Sequence, residues 1–382
     1  MNGYFDHNAT TPLLPEAREA WLRASDKHWH NPSSLYRDAG LASQQLESAR
    51  ERLGTLIGVE AERIVFTSGA TESNNAVLAT FPKDARILFS GIEHPSMRQP
   101  AWYWMGQEPS LPVGPDGVVD LAAAKEQIQA AIKDRPSLVS LMAANNESGA
   151  QQPWKELAAL CHEAGVLFHT DASQWLGKLD AEDLGMCDFV TGSAHKFGGP
   201  KGAGFLVVAD PTAYQRLGPR FLQGGPQESG RRAGTENYPA IEAMVTALET
   251  ITPRLSQIQI DQSQRRDAFI DALRSRFDDL RVISESAPRL WNTVLMVMPA
   301  HHNLKWLTAL SRRGFSISTG SACSSGKEGS SVVVTALGAS ADELRRVVRI
   351  SGGWDTSAED WQALAVAFGE VWGELNRGGR PQ

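Results

Sequence analysis

Cysteine is scarce in this chain. Cys161, Cys187 and Cys323 are the only three in 382 residues, and an odd number makes no disulfide framework. No C-x-x-C pair offers zinc spacing, and the pairs His28/His30 and His301/His302 have nothing beside them to complete a ligand set. No metal site is therefore expected. Positive charge is not in excess either: 37 Lys and Arg against 44 Asp and Glu leave a net charge of -7, no electrostatic reason for a nucleic-acid partner. Long apolar runs are missing, and the start MNGYFDHNATT lacks the basic-then-apolar order of a secretion signal. These absences point to a soluble, cytoplasmic protein with no membrane segment, in which the Asn8-Ala9-Thr10 sequon arises by chance. Internal repeats, low-complexity tracts and flexible linkers are absent too.

What remains is a globular composition. Hydrophobic residues make up 42% of the chain, enough for a large core and two intimately packed domains. Short apolar, β-branched runs recur at RIVF (63–66), RILF (86–89), LVSLM (138–142), VLFH (166–169), DFVT (188–191) and GFLVV (204–208). Helical patterns lie between several of them. Ala42, Leu46, Ala49, Leu53 and Leu56 repeat at helix spacing ahead of a capping Gly58, and 154–164 ends similarly at Gly165. The alternation predicts an α/β domain with a mostly parallel sheet. From Tyr238 the pattern turns helical through about Phe277, with a break at Pro253. A strand at 292–298, a helix ending near Gly314, a Ser- and Gly-rich loop at 316–331 and a last helix after Thr356 follow. Ser357-x-x-Asp360 supplies the start signal of that helix. The expected division is 12–250 as a large domain, with 1–11 and 251–382 forming a smaller α+β domain.

Polar residues gather where the strands end. RIVF runs into TSGATES, RILF into SGIEH, LVSLM into AANNES, VLFH into TDASQ and DFVT into GSAHK. Open α/β sheets bind ligands beyond the carboxyl ends of their strands, so five such loops together predict a ligand site. In TSGAT, Gly69 permits close backbone approach, and the free amides at the following helix start favour an anion. No Lys-Ser/Thr closes that loop into a nucleotide-binding Walker pattern, and the glycines at 198–204 precede a strand, which is the wrong context for a dinucleotide fingerprint.

Two lysines in GSAHKFGGPKG narrow the choice. Lys196 lies next to the end of a core strand, where a charged amine is costly without a partner, whereas Lys201 follows a turn and is better placed for solvent. Pyridoxal 5′-phosphate needs a lysine for its aldehyde, an acid at its ring nitrogen and an anion cradle. Lys196, Asp171 and the TSGAT loop are candidates for all three, the alternative for Lys196 being a structural ion pair.

Beyond these parts, the chain closely resembles the cysteine desulfurases, the class-V aminotransferase branch of the fold-type-I pyridoxal-phosphate enzymes. YFDHNATTP, NPSS, FTSGATESNN, EH, NNESG, HTDASQ, GSAHKFGGPKG, GRRAGTEN, STGSACSSG and VRIS look like its signature segments, in order over nearly the whole length. The resemblance implies a large α/β domain with a smaller C-terminal α+β domain and bound pyridoxal phosphate. Lys196 is then the Schiff-base lysine, Asp171 the ring-nitrogen partner and Gln174 a donor to the phenolic oxygen. Ala70, Thr71, Ser193 and His195 match phosphate-binding positions, and Thr235 a position that reaches the neighbouring subunit's phosphate, implying a homodimer. His94 matches a ring-stacking imidazole that accepts the substrate thiol proton, while Asn146 and Arg349 match the grip on the substrate carboxylate. A guanidinium fork suits that last task.

The three cysteines divide accordingly. Cys161 sits in a helical apolar pattern and Cys187 precedes a strand, so both read as buried and inert. Cys323, in STGSACSSGKEG, has the small neighbours an accessible nucleophile requires, and the resemblance makes it the residue that takes sulfur from L-cysteine as a persulfide, leaving alanine. A sulfur-acceptor protein is implied, serving a metal-cluster scaffold, transfer-RNA or DNA modification, or another carrier. A class-V transaminase, a selenocysteine or cysteine-sulfinate lyase, or a non-catalytic partner of the same fold are the alternatives. Tyr36, Trp354 and the short C-terminal tail depart from the family pattern and bear on partners and pocket edges.

Overall fold

The computed structural model describes residues 3–131, 136–209, 222–320 and 331–377. Six strands form the larger sheet: β1 (Ile64–Thr67), β2 (Arg86–Phe89), β3 (Pro136–Ser140), β4 (Leu167–Asp171), β5 (Phe189–Ser193) and β6 (Gly204–Val207). Each coincides with one of the apolar runs. Their order across the sheet is β1-β6-β5-β4-β3-β2. β2 to β5 pair in parallel, while β6 runs antiparallel to both β5 and β1. The reversal has a simple cause: the link from Ser193 to Gly204 is too short for the dozen or more residues a parallel crossover needs. β1, β5 and β6 are buried at every position, so they read as continuous apolar or small-residue runs without alternation.

Helices cover the sheet. The helix Arg37–Ile57 presents Ala42, Leu46, Ala49 and Leu53 to the core and ends at Gly58, whose φ of 66° is the left-handed cap the sequence anticipates. Tyr238–Ile251 is mostly apolar and lies against the helix Pro15–Lys27, which the sequence reading did not assign. At Pro253 the chain passes through the single turn Thr252–Arg254 before continuing as Leu255–Arg274, the break expected there.

A second, antiparallel sheet holds β7 (Arg281–Val282), β8 (Thr293–Val297) and β9 (Val347–Ser351) in the order β7-β8-β9. Helices Leu255–Arg274, Asn303–Arg312 and Ala358–Arg377 contribute to an aromatic core behind it, with Phe269, Phe277, Trp306, Trp361 and Phe368 all buried. The last helix begins as expected: Ser357 Oγ accepts the Asp360 amide at 3.1 Å, and Asp360 Oδ2 accepts the Ser357 amide at 3.1 Å. Residues near the N-terminus join this sheet, since Asp6 bridges Ser351 and Tyr4 bridges Ser316. The chain then crosses to the turn after β5, where Thr11 donates its amide to the His195 carbonyl. This N-terminal crossing lays Asn8 and Ala9 over the ends of the large sheet. Among the described residues, no helix is long and apolar enough to cross a membrane, and no cluster of three His, Cys, Asp or Glu could hold a metal ion.

Candidate active site

A cavity of about 520 Å³ opens at the carboxyl ends of β4 and β5. Ten of the residues singled out in the sequence line it: Ala70, Thr71, His94, Asn146, Asp171, Gln174, Ser193, His195, Lys196 and Arg349. Thr235 does not. It lines a neighbouring cavity of about 230 Å³, and Ser68 and Gly202 border both spaces. Cys323 lies outside the described residues.

Lys196 is half-buried in the short turn that follows β5, and its amine donates to the carbonyls of Asn8 at 2.6 Å and Ala9 at 2.8 Å. Both acceptors are backbone groups from the far N-terminal end of the chain, so side-chain chemistry gave no hint of them. Asp171 ends β4 and is 5% exposed. Asn74 Nδ2 donates to one of its oxygens at 2.8 Å and the Ser173 amide to the other at 3.0 Å. The carboxylate therefore stays supplied with donors away from water, which keeps burial of its charge tolerable.

The anion end of the cavity is backbone-built. Gly69, with φ of 145°, precedes the helix Ala70–Ala79, and a Cβ on Gly204 would stand 2.5 Å from the Gly69 Cα. Glycine at both positions lets β6 press against the helix start. Ser193 and His195 close the same end. Burial pushes the His195 imidazole down to about 4, and the nearby Lys196, Lys201 and Lys178 add to the effect. Lys201, which lines the cavity on this side, would welcome a bound dianion. The residues present thus fit pyridoxal phosphate: an amine, a buried carboxylate and an anion cradle share one space.

Gln174 is fixed from both sides. Its Nε2 donates to the Asn8 carbonyl at 3.0 Å, and its Oε1 accepts from Lys178 Nζ at 3.0 Å. Lys178 is fully enclosed, and burial, then Lys196, lowers its pKa to about 7. Sequence reasoning passed over Lys178, although its i+4 spacing from Gln174 was available.

Arg349, on β9, is 1% exposed and held on three sides. Nη2 meets Asp6 Oδ1 at 2.6 Å, and Nη1 donates to the carbonyls of Asn146 and Gly320, each at 3.0 Å. A charged side chain on a strand is here enclosed and fully engaged with Asp6 and two carbonyls. Glu147, next to Asn146 in NNESG, is a further cavity residue the sequence reading left out. Burial raises its carboxyl pKa, against the pull of its hydrogen bond to Ser331 and of Arg349. Behind the wall, Glu93 takes the Met142 amide and the Ser90 hydroxyl on one oxygen, and burial raises its pKa to about 8.

The two describable cysteines are buried. Burial, with Asp188 nearby, pushes the Cys161 thiol up to about 12 and the Cys187 thiol upward as well, so neither supplies a thiolate. Trp354 is partly buried, edge-on to His7 at 5.9 Å, and Tyr36 is exposed at the start of helix Arg37–Ile57.

The model of a known family, aminotransferase class-V, matches residues 3–364. The chain belongs to that family. Within it, the chain is 36% identical over 386 residues to a cysteine desulfurase of Rhodobacter capsulatus, covering 97% of each protein. A cysteine desulfurase IscS of Dictyoglomus turgidum is 34% identical over 367 residues, or 94% of this chain and 91% of that one. Among solved structures, a NifS-like protein from Rickettsia africae superposes with a TM-score of 0.87 at 29% identity, covering 98% of this chain and all of the other. The large sheet with its C-terminal cavity is accordingly the fold-type-I arrangement of this family.

Proposed function

We propose that this class-V aminotransferase family member is a pyridoxal-phosphate-dependent cysteine desulfurase, converting L-cysteine to L-alanine and holding the sulfur as a persulfide on Cys323. The observation that carries the reading is the convergence on one cavity of Lys196 from the turn after β5, Asp171 from the end of β4 and Arg349 from the middle of β9. Relatives named cysteine desulfurase at 34–36% identity over nearly the full length support it.

Each residue then has a task. With pyridoxal phosphate bound, Lys196 would hold its aldehyde through the amine, and the same amine would be placed to move the α-proton of the substrate. Asp171 holds the proton of the ring nitrogen. The cofactor supplies an electron sink for the α-carbon. Ala70, Thr71, Ser193 and His195 would take the phosphate, Gln174 would donate to the phenolic oxygen, and His94 would lie against the ring. Asn146 and Arg349 orient the substrate carboxylate. Cys323 attacks the substrate sulfur, so that the carbon–sulfur bond breaks as a sulfur–sulfur bond forms, and alanine leaves with the electron pair and a proton at carbon.

The reading extends to assembly. Thr235 reaches the phosphate of a second copy in a homodimer, and a sulfur-acceptor protein removes the persulfide in the cytoplasm. The chain divides into 12–250, which carries the cofactor, and 1–11 with 251–382, which carries Arg349 and Cys323. Separate apolar clusters, one around the large sheet and one behind β7–β9, support that division.

The test is to load purified protein with pyridoxal phosphate, add cysteine, and measure alanine together with sulfide under reducing conditions. Equal amounts of both are expected from the parent, and neither above background from Cys323→Ala. Undiminished sulfide from Cys323→Ala would favour a transaminase- or lyase-type enzyme instead. Absence of a cofactor chromophore would overturn the whole reading.

A further inference from the structure

His94 sits between two structural roles. Its side chain lines the cavity, and the residue also caps the helix Pro95–Met105. As cap, its Nδ1 accepts the backbone amide of Ser96 at 3.2 Å. A backbone N–H cannot reverse its polarity, so Nδ1 must present a lone pair.

A second contact agrees. Ser96 Oγ lies 2.8 Å from the same nitrogen. That hydroxyl already accepts from Asn74 Nδ2 at 2.8 Å, and the other hydrogen of the same nitrogen goes to Asp171 Oδ2 at 2.8 Å. Because Asp171 can only accept while ionised, it dictates which way the Asn74 amide faces. The orientation propagates: Asn74 donates to Ser96, and the single hydroxyl hydrogen of Ser96 is left for His94. Asn74 is wholly enclosed and Ser96 is 7% exposed, so water does not compete for these bonds. Burial also lowers the imidazole pKa, Lys196 helping and Asp171 opposing, so the neutral ring is the relevant form.

We propose that Asp171, Asn74 and Ser96 form a one-way hydrogen-bond chain that locks His94 in the tautomer with its proton on Nε2. His94 is then a hydrogen-bond donor toward the cavity, and its only free basic nitrogen faces Ser96. It does not accept the substrate thiol proton, contrary to what the resemblance implies. Asn74 and Ser96 are positioning residues acting through the imidazole. The tautomer is a property of this chain alone; its bearing on sulfur transfer rests on the function proposed above.

Two measurements test this. In the cofactor-loaded protein labelled with ¹⁵N-histidine, two-bond ¹⁵N–¹H correlation spectra report which ring nitrogen bears the proton, the His94 signals being those lost in His94→Gln. The expected result is Nε2–H at pH 7.5; Nδ1–H or an imidazolium would overturn the proposal. Ser96→Ala removes one donor to the lone pair and should raise the proton affinity of His94 about threefold, with Ser96→Thr restoring it. An unchanged titration in Ser96→Ala would remove Ser96 and Asn74 from the scheme.

Kinetics reads the consequence. Gln keeps an N–H at similar reach, so His94→Gln should desulfurate cysteine about tenfold or more faster than His94→Ala, a donor to developing charge being worth ~10² in rate. Equal losses in the two variants would overturn the donor role. If neither variant nor parent acts on cysteine, the proposed function fails, while the spectra still decide the tautomer.

Discussion

Behind the three-stranded sheet, the buried aromatic rings of Phe269, Phe277, Trp306 and Phe368 meet one another, and the indole of Trp306 has the Ala300 carbonyl at 3.0 Å. At the ends of β4 and β5, an equally enclosed region is filled instead with Asp171, Asn74, Gln174, Lys178 and Glu93. The first arrangement stabilises by removing apolar surface from water. The second must satisfy each polar group in turn, and it leaves Asn74 Oδ1 and a Glu93 oxygen without partners among the described residues. Such a region costs stability, and its justification is chemical. Binding and reactivity therefore belong to one region, and resistance to unfolding to the other.

Substitutions can break that separation or sharpen it. Replacing Lys196 by Ala should lower cysteine-dependent alanine formation by about 10³ or more, since anchor and proton carrier go together, while the urea midpoint changes little. Absorbance of bound cofactor and alanine assays measure the first, circular dichroism in urea the second. A large loss of stability would show that the amine also holds the N-terminal crossing in place through Asn8 and Ala9. The mirror experiment is Trp306→Ala. It empties a site stacked on Trp372 at 6.0 Å and should cost about 3–5 kcal/mol in equilibrium unfolding, with turnover per folded molecule unaltered.

Glu93 offers a smaller, pH-dependent contrast. Its folded pKa of about 8 lies above the ordinary 4.5 that the unfolded chain would show. The folded state thus binds the extra proton between these values, and stability falls as pH rises from about 4.5 to about 8. Glu93→Gln keeps the acceptor for the Met142 amide and cannot ionise, so unfolding free energies measured from pH 5 to pH 8 should decline less steeply than in the parent. A parallel decline would assign the slope to other groups. The smallest effect is expected at Ser357→Ala, which removes the cap of the last helix at a cost of about 1 kcal/mol, read in urea, with no change in activity.

Much of this was legible beforehand, for physical reasons. β1, β5 and β6 are buried at every position, so an apolar run such as FLVV cannot be mistaken for a surface segment. The polar loops after the strands follow because a parallel sheet delivers its strand ends to one edge. What stayed hidden is long-range and often made by backbone. Asn8 holds Lys196 across 188 positions through a carbonyl, with no side-chain signal to read. Asp6 and Arg349 are 343 positions apart, and neither type announces the other. Ser96 reads as an ordinary first-turn residue until Asn74 and Asp171 are seen beside it. The antiparallel setting of β6, by contrast, was recoverable from the length of one loop.

Local composition determined which segments become strands and helices and which residue types stand at the strand ends, because side-chain periodicity and capping act over a few residues. Only the tertiary structure decided that Arg349 is enclosed, that Thr235 lines a separate cavity, and which nitrogen of His94 is free to carry the proton. Those outcomes depend on groups brought from distant parts of the chain to within about 3 Å of one another, the range over which hydrogen bonds act.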